Sequence, residues 1–357
     1  MLVHLLIATY GHRTARGVRR RGVDRLIVGV VGTGIMARTH AAVLDSYHRS
    51  AVGGWVSRDP ARVTGLGDVP VHSDVPSMAA DPAIGAVLVA TPDHLHTAPA
   101  LAAIEAGKHV LIEKPLATTV ADARRIRDAA NAAGVTVMTL FNHRWVPAYW
   151  QAHEQTAGRR PVLAYARKND TLFVPTQMIG WAGQTTPSFF LTSHDLDLLL
   201  WYFDDRVERV YASAVHGVLR EHGIDTPDAV QAQIRFAGGA VATLEACWTY
   251  PDTFPTMTDS FLELIFADAV VHLDRKREQI EIATPDRFSY PRNQLAGRVG
   301  GKPSGSVAAA VTHFVDAVLD KTPPLVTVDS SVHVTEVLAA IDTSWRTGQP
   351  VTVDIGE

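Results

Sequence analysis

Only one cysteine, Cys247, occurs among 357 residues, which excludes an internal disulfide and points to a reducing, cytoplasmic compartment. No stretch reaches the roughly 18 consecutive apolar residues of a membrane span, so no membrane partner is expected. Charge of one sign is equally scarce. With 33 basic against 37 acidic residues the formal net charge is −4, which gives no electrostatic case for nucleic acid or an anionic membrane. Internal repeats and low-complexity linkers are missing too. What remains is a globular composition, 46% hydrophobic and 20% charged, in a chain long enough for two cores.

Residues 1–24 do not share the character of the rest of the chain. MLVHLLIATY is apolar but short, and RTARGVRRRG behind it carries positive charge on the wrong side for a secretory signal. The reading is a disordered basic extension or an upstream start codon, with an arm docking on a partner subunit as the alternative.

The chain is organised around Leu26 to His40. LIVGVV is short and rich in β-branched residues, as in a strand buried on both faces, and Gly32-Thr-Gly34-Ile-Met-Ala37 comes directly after it. In this G-x-G-x-x-A pattern Gly32 permits a tight turn and Gly34 lets a pyrophosphate approach the backbone. Ala37 lets helix pack on strand. The helix opening at Ile35 and Met36 aims free N–H groups at a phosphate. A dinucleotide site is therefore expected. The next strand, Val52 to Val56, ends in Ser57-Arg58, where a hydroxyl and a guanidinium suit the 2′-phosphate of NADP better than the bare ribose of NAD. Asp59 keeps NAD open.

Strand and helix signals then alternate. Ala86 to Ala90 delivers Thr91-Pro92-Asp93-His94-Leu95-His96 to a strand tip, where such folds place ligands; Thr91, Pro92 and His96 are the expected cofactor contacts. A helix over Thr97 to Ala106 stops at Gly107, and the strand after it carries Glu113-Lys114-Pro115. A further helix, Val120 to Ala133, stops at Gly134, and a strand over Val135 to Phe141 delivers Asn142-His143-Arg144-Trp145. From Pro161 the pattern changes to strands with few helices: Val162–Lys168, Val207–Val218, Ala229–Phe236, Ala240–Thr249, Ser260–Phe266, Ala269–Asp274 and Gln279–Ala283. The final helices span about Ser306–Asp320 and Ser331–Arg346. The glycine-rich stretch Asn293–Ser306 reads as a mobile loop.

VVGTGIMARTH, VATPDHLH, AGKHVLIEKPLA and FNHRW, in this order, resemble the Gfo/Idh/MocA family of sugar and inositol oxidoreductases, as does the closing segment from Phe314 onward. The resemblance runs from about Leu26 to Val353. It implies an N-terminal Rossmann dinucleotide-binding domain over 25–145 and a C-terminal α+β domain on a largely antiparallel open sheet over 146–357. It also implies a homo-oligomer, dimer or tetramer. The cofactor is NADP by preference, or NAD, and the substrate a small sugar or polyol.

The resemblance makes Lys114 a catalytic residue. A lysine at that strand tip stabilises negative charge on a reacting oxygen, with Glu113 orienting it or the cofactor, and Pro115 suits a cis bond. In TTPSFFLTSHDLDLLLW the apolar spacing predicts a helix capped by Ser193, with His194 in its first turn. His194 matches the family's proton-transferring histidine, and Asp197 and Trp201 fit the same pattern. Where the family has an aspartate four residues earlier, this chain has Phe190, read as lining the pocket. Asp195 lies about 100° round the helix from His194 and cannot simply substitute for that aspartate. Arg144 and Asp195 join Lys114, His194 and Phe190 as expected substrate contacts, with Arg144 alternatively pairing with an acid; Trp181, Gln184 and Lys168 are weaker ones. No metal site is expected. The expected function is NAD(P)-dependent hydride transfer to or from a sugar, cyclitol or keto-sugar. The alternatives are recycled-cofactor elimination or hydrolysis of a glycoside, and an inactive NAD(P)-binding sensor or scaffold motivated by Phe190.

Overall fold

The computed structural model describes residues 24–64, 67–276, 278, 280–291 and 294–354. The expected N-terminal extension, save Asp24, lies outside them. Six parallel strands, β1 (Leu26–Val31), β2 (Ser50–Val56), β3 (Val71–His72), β4 (Ala86–Val89), β5 (His109–Ile112) and β6 (Val137–Thr139), form a sheet in the order β3-β2-β1-β4-β5-β6. Alternate residues feed opposite cores: Ala86 and Leu88 pack on one face, Val87 and Val89 on the other. Burial on both sides explains the near-continuous apolar runs. Strand order reverses between β1 and β4, which opens a crevice at their carboxyl ends.

Helices α1 (Ile35–Ser46), α2 (Val75–Ala79), α3 (Thr97–Glu105) and α4 (Val120–Ala133) make the crossovers. The Thr119 hydroxyl accepts from the Asp122 N–H to start α4, and Gly134, at φ 64°, stops it. Helix α5 (Pro147–Thr156) leads into the second sheet.

That sheet contains β7 (Pro161–Thr171), β8 (Val207–Val215), β9 (Ala229–Phe236), β10 (Val241–Tyr250), β11 (Thr258–Phe266), β12 (Ala269–Asp274) and β13 (Val351–Thr352), in the order β12-β11-β7-β10-β9-β8-β13. Every neighbouring pair is antiparallel except β7 with β10. Its inward face, with Ala164, Ala166, Leu244 and Leu262, shares one core with α6 (Ser193–Phe203), α7 (Ser306–Asp320) and α8 (Val328–Thr347).

Three local expectations change. Among the described residues of Gln279–Ala283, Ile282–Ala283 is the extended part, and it pairs with Phe288–Ser289 away from the main sheet. Within 293–306, Gly297–Val299 and Lys302–Ser304 form a hairpin. Ser193 does not cap α6: it is itself helical, because a wide π-type turn, Ser188–Thr192, runs directly into the helix. Such wide turns are rare and are frequently found at functional sites. Among the described residues no helix is long and apolar enough to cross a membrane.

Candidate active site

The glycine turn sits at the β1–β4 reversal. Gly32 has φ +109°, and a Cβ there would lie 2.3 Å from the Ala90 carbonyl oxygen, so the fold itself requires glycine. At Gly34 a Cβ would meet nothing within 4 Å. The space beside it is open, as a backbone that receives a pyrophosphate needs. Ile35 and Met36 are 70% and 39% exposed on an α1 terminus that no side chain caps. Thr91 Oγ1, at the β4 tip, is buried without a hydrogen-bond partner. These features fit a dinucleotide.

At the β2 tip Ser57 Oγ donates to the Asp59 carbonyl at 2.7 Å, and the Asp59 carboxylate accepts from Ala61 N at 3.1 Å. Asp59 is thus engaged in capping a short turn, while Arg58 stands exposed. Arg38, not singled out in the sequence, crosses from the glycine turn to this tip through the carbonyls of Thr33 (3.0 Å) and Arg62 (2.6 Å). Two guanidiniums, those of Arg38 and Arg58, therefore stand at the β2 tip.

The β4 and β5 tips form the floor. His96 corrects an expectation: it is fully buried, with its ring nitrogens 2.7 Å from the Pro115 carbonyl and 3.0 Å from that of Thr91. It braces the two strand tips from behind instead of touching a cofactor. Asp93 is buried, and its carboxylate accepts from the Thr185 hydroxyl at 3.1 Å. Burial raises its pKa, and the charges of Lys114 and His96 only partly offset that. Glu113 behaves oppositely. Burial alone would raise it, but His40, at 2.5 Å, together with Lys114 and His96 holds it below the usual carboxylate range.

The Lys114–Pro115 bond is cis. Lys114 Nζ donates to the Phe190 carbonyl at 2.8 Å and lies 3.9 Å from the centroid of the Phe190 ring. Phe190 joins an aromatic wall with Trp181 at 5.8 Å and Trp248 at 5.6 Å. Four residues on, the His194 ring stacks on His143, with centroids 4.0 Å apart and planes at 20°. Arg275 Nη1 lies 2.6 Å from His143 Nε2. A guanidinium only donates, so this Nε2 carries the lone pair. Asp93, His40, His143 and Arg275 were not among the expected site residues. Asp93 and His143 stood in strand-tip segments that marked them, whereas nothing in the sequence around Arg275 does.

Two models of one family match, over residues 26–141 (oxidoreductase family, NAD-binding Rossmann fold) and 178–266 (C-terminal domain), together more than half of the chain. The chain belongs to the Gfo/Idh/MocA family. It is 36% identical over 186 residues to a 1,5-anhydro-D-fructose reductase of Ensifer adhaerens, covering 50% of this chain and 54% of that one. With an inositol 2-dehydrogenase of Acidothermus cellulolyticus it shares 33% over 234 residues, 62% and 66% of the two chains. The chain thus spans about half the length of the first curated relatives it matches. The crystal structure of GenD2 from gentamicin A biosynthesis in complex with NAD superposes with a TM-score of 0.79, at 26% identity over 94% of this chain and 99% of that one.

Against the Gfo/Idh/MocA pattern, two expected substrate contacts are withdrawn. Arg144 is 5% exposed and gripped bidentately by Asp197 at 2.6 and 2.9 Å, with its third nitrogen on the Leu325 carbonyl. That is the acid-pairing alternative, and it leaves Arg144 no fork for a substrate. Asp195 is buried and holds Lys168 at 2.5 Å, which also withdraws Lys168 from the pocket lining. Trp181 is in the wall, while Gln184 is exposed at the end of the short 3-10 turn that follows it.

Proposed function

We propose that this protein is an NAD(P)-dependent oxidoreductase interconverting an alcohol and a carbonyl on a sugar or cyclitol. The observation that carries this is the meeting of Lys114, from the β5 tip, with the segment that presents His194: the ammonium rests on Phe190, one helical turn before the imidazole. When bound, the nicotinamide supplies or accepts hydride. Lys114 donates to the substrate oxygen and stabilises charge developing there, worth about 10²–10³ in rate for one such donor. His194 takes or returns the hydroxyl proton, and the stacked His143 fixes its plane. Gly32, Gly34, Ile35, Met36, Thr91 and Pro92 hold the dinucleotide, with Glu113 fixing the Lys114 backbone at 3.1 Å. Ser57 and Arg58, with Arg38 beside them, favour NADP. Phe190 packs against the substrate. The outward face of the second sheet, where Tyr211 and Val215 are exposed, is the surface we assign to a second copy. The single cysteine supports a cytoplasmic setting.

The test is a nicotinamide absorbance assay with NADP and NAD against cyclitols, aldoses, aldonates and uronates. Lys114→Ala and His194→Ala should each lose about 10²-fold or more in kcat. Arg58→Ala should raise KM for NADP and leave that for NAD unchanged. Turnover that survives in both Lys114→Ala and His194→Ala would sink the assignment. Cofactor binding without turnover on any member would favour the sensor or scaffold reading.

A further inference from the structure

Among the described residues most buried or half-buried cations around the cleft are paired with a carboxylate; Lys114, held by the Phe190 carbonyl and ring, and Arg275 are not. Arg144 has Asp197, Lys168 has Asp195, and Arg167 has Asp259 at 2.9 Å. Arg275 is as deeply buried as Arg144, at 5% exposure, yet no carboxylate pairs with it among the described residues. Of the residues outside them, Glu357 alone is acidic. Of its five donors the guanidinium uses one, on His143 Nε2, and Nε is buried with no hydrogen-bond partner. A buried cation without a counter-charge is unfavourable unless something that binds supplies one.

The location tells what that is. The Arg275 backbone N–H donates to Ser260, which pairs across the ladder with Lys168, itself tied to Asp195 beside His194. The guanidinium thus lies one ring away from His194, on the far side of the imidazole that stacks on it. A single planar fork matches a single planar anion, and among the described residues no second uncompensated guanidinium is paired with His143 or His194 for a phosphate dianion.

We propose that Arg275 is the specificity residue for a substrate carboxylate, so that the natural substrate is a sugar acid, an aldonate or uronate, rather than a neutral sugar or cyclitol. This rests on the dehydrogenase reading and narrows its substrate class.

The test compares D-gluconate, D-glucuronate and D-galacturonate with D-glucose, myo-inositol and D-glucose 6-phosphate, in the wild type, Arg275→Gln and Arg275→Lys. Two readouts are used: kcat and KM, and calorimetric titration of each compound into the cofactor-loaded protein. A sugar acid should bind the wild type best. Arg275→Gln should weaken that binding about 30- to 1,000-fold and leave the calorimetric affinity for neutral compounds unchanged. Arg275→Lys, keeping the charge without the fork, should fall between. Circular dichroism shows whether each variant folds, and should Arg275→Gln not fold, Arg275→Lys alone decides by whether the acids weaken selectively. Neutral compounds binding as well as the acids, or an equal loss for all, would overturn the proposal. Tighter binding of the sugar phosphate would overturn the carboxylate assignment. Selective acid binding without turnover would leave this proposal standing and count against the dehydrogenase reading instead, so the two fail separately.

Discussion

The two walls of the cleft each hold a pair of like residues with unlike explanations. On the dinucleotide side Gly32 is dictated by its own backbone and by the Ala90 carbonyl, while Gly34 faces open space. On the other side Arg144 is neutralised by Asp197, while Arg275, equally buried, has only an imidazole. In each pair the fold accounts for one member. The other makes sense only through what binds. A residue that packing leaves unexplained is therefore a better pointer to a ligand than a residue type alone.

Removing the two arginines in turn puts this contrast under the greatest strain. Arg144→Met strands a buried carboxylate and should cost about 3–5 kcal/mol of unfolding free energy in urea denaturation. Arg275→Met strands no charge, only the buried His143 Nε2, and should cost less, at most about 1–3 kcal/mol. Equal losses would mean that Arg275 has a charged structural partner after all.

The glycines give a smaller contrast. Gly32→Ala should destabilise by about 1–3 kcal/mol through its positive φ and the backbone clash. Gly34→Ala, at φ −71°, should change stability by about 0.5 kcal/mol or less yet weaken dinucleotide binding measured by fluorescence titration. If Gly34→Ala binds normally, the open space beside it is not the pyrophosphate site.

The smallest effect concerns a carboxylate that the fold itself satisfies. Burial pushes the Glu113 carboxyl up, but His40 and Lys114 outweigh it and hold the folded pKa below the ordinary 4.5. Its contribution is thus complete above that value and is lost as pH falls through the lower, folded one. The stability difference between wild type and Glu113→Gln should be level from about pH 5 to 7 and shrink below about pH 4. A difference that grows on acidification would reverse the assigned direction.

Much of the dinucleotide wall was legible because it is local: a strand, two glycines and a helix start fall within Leu26–Ala37, and Lys114 lies in one short motif. The second wall is assembled from β6, α6, β10 and the end of β12, far apart in sequence. Arg144 and Arg275 look alike in a string of letters, and only their partners, 53 and 132 residues away, distinguish them. His96 misled for a related reason, since a strand-tip histidine can face the crevice or the strand behind it. The widened turn before α6 was invisible because its composition is that of an ordinary helix.

Lys114 and Phe190 set the direction in which protons can travel. A ring and a backbone carbonyl attract an ammonium as a carboxylate would, but neither is a base at any working pH. On its α6 side Lys114 therefore has a support that cannot relieve it of a proton, and among the described residues the only carboxylates near it are Asp93 and Glu113 on the strand-tip side. Under the proposed roles the proton of the reacting hydroxyl then leaves by the imidazole, and a solvent isotope effect on turnover should be altered more by His194→Ala than by Lys114→Ala.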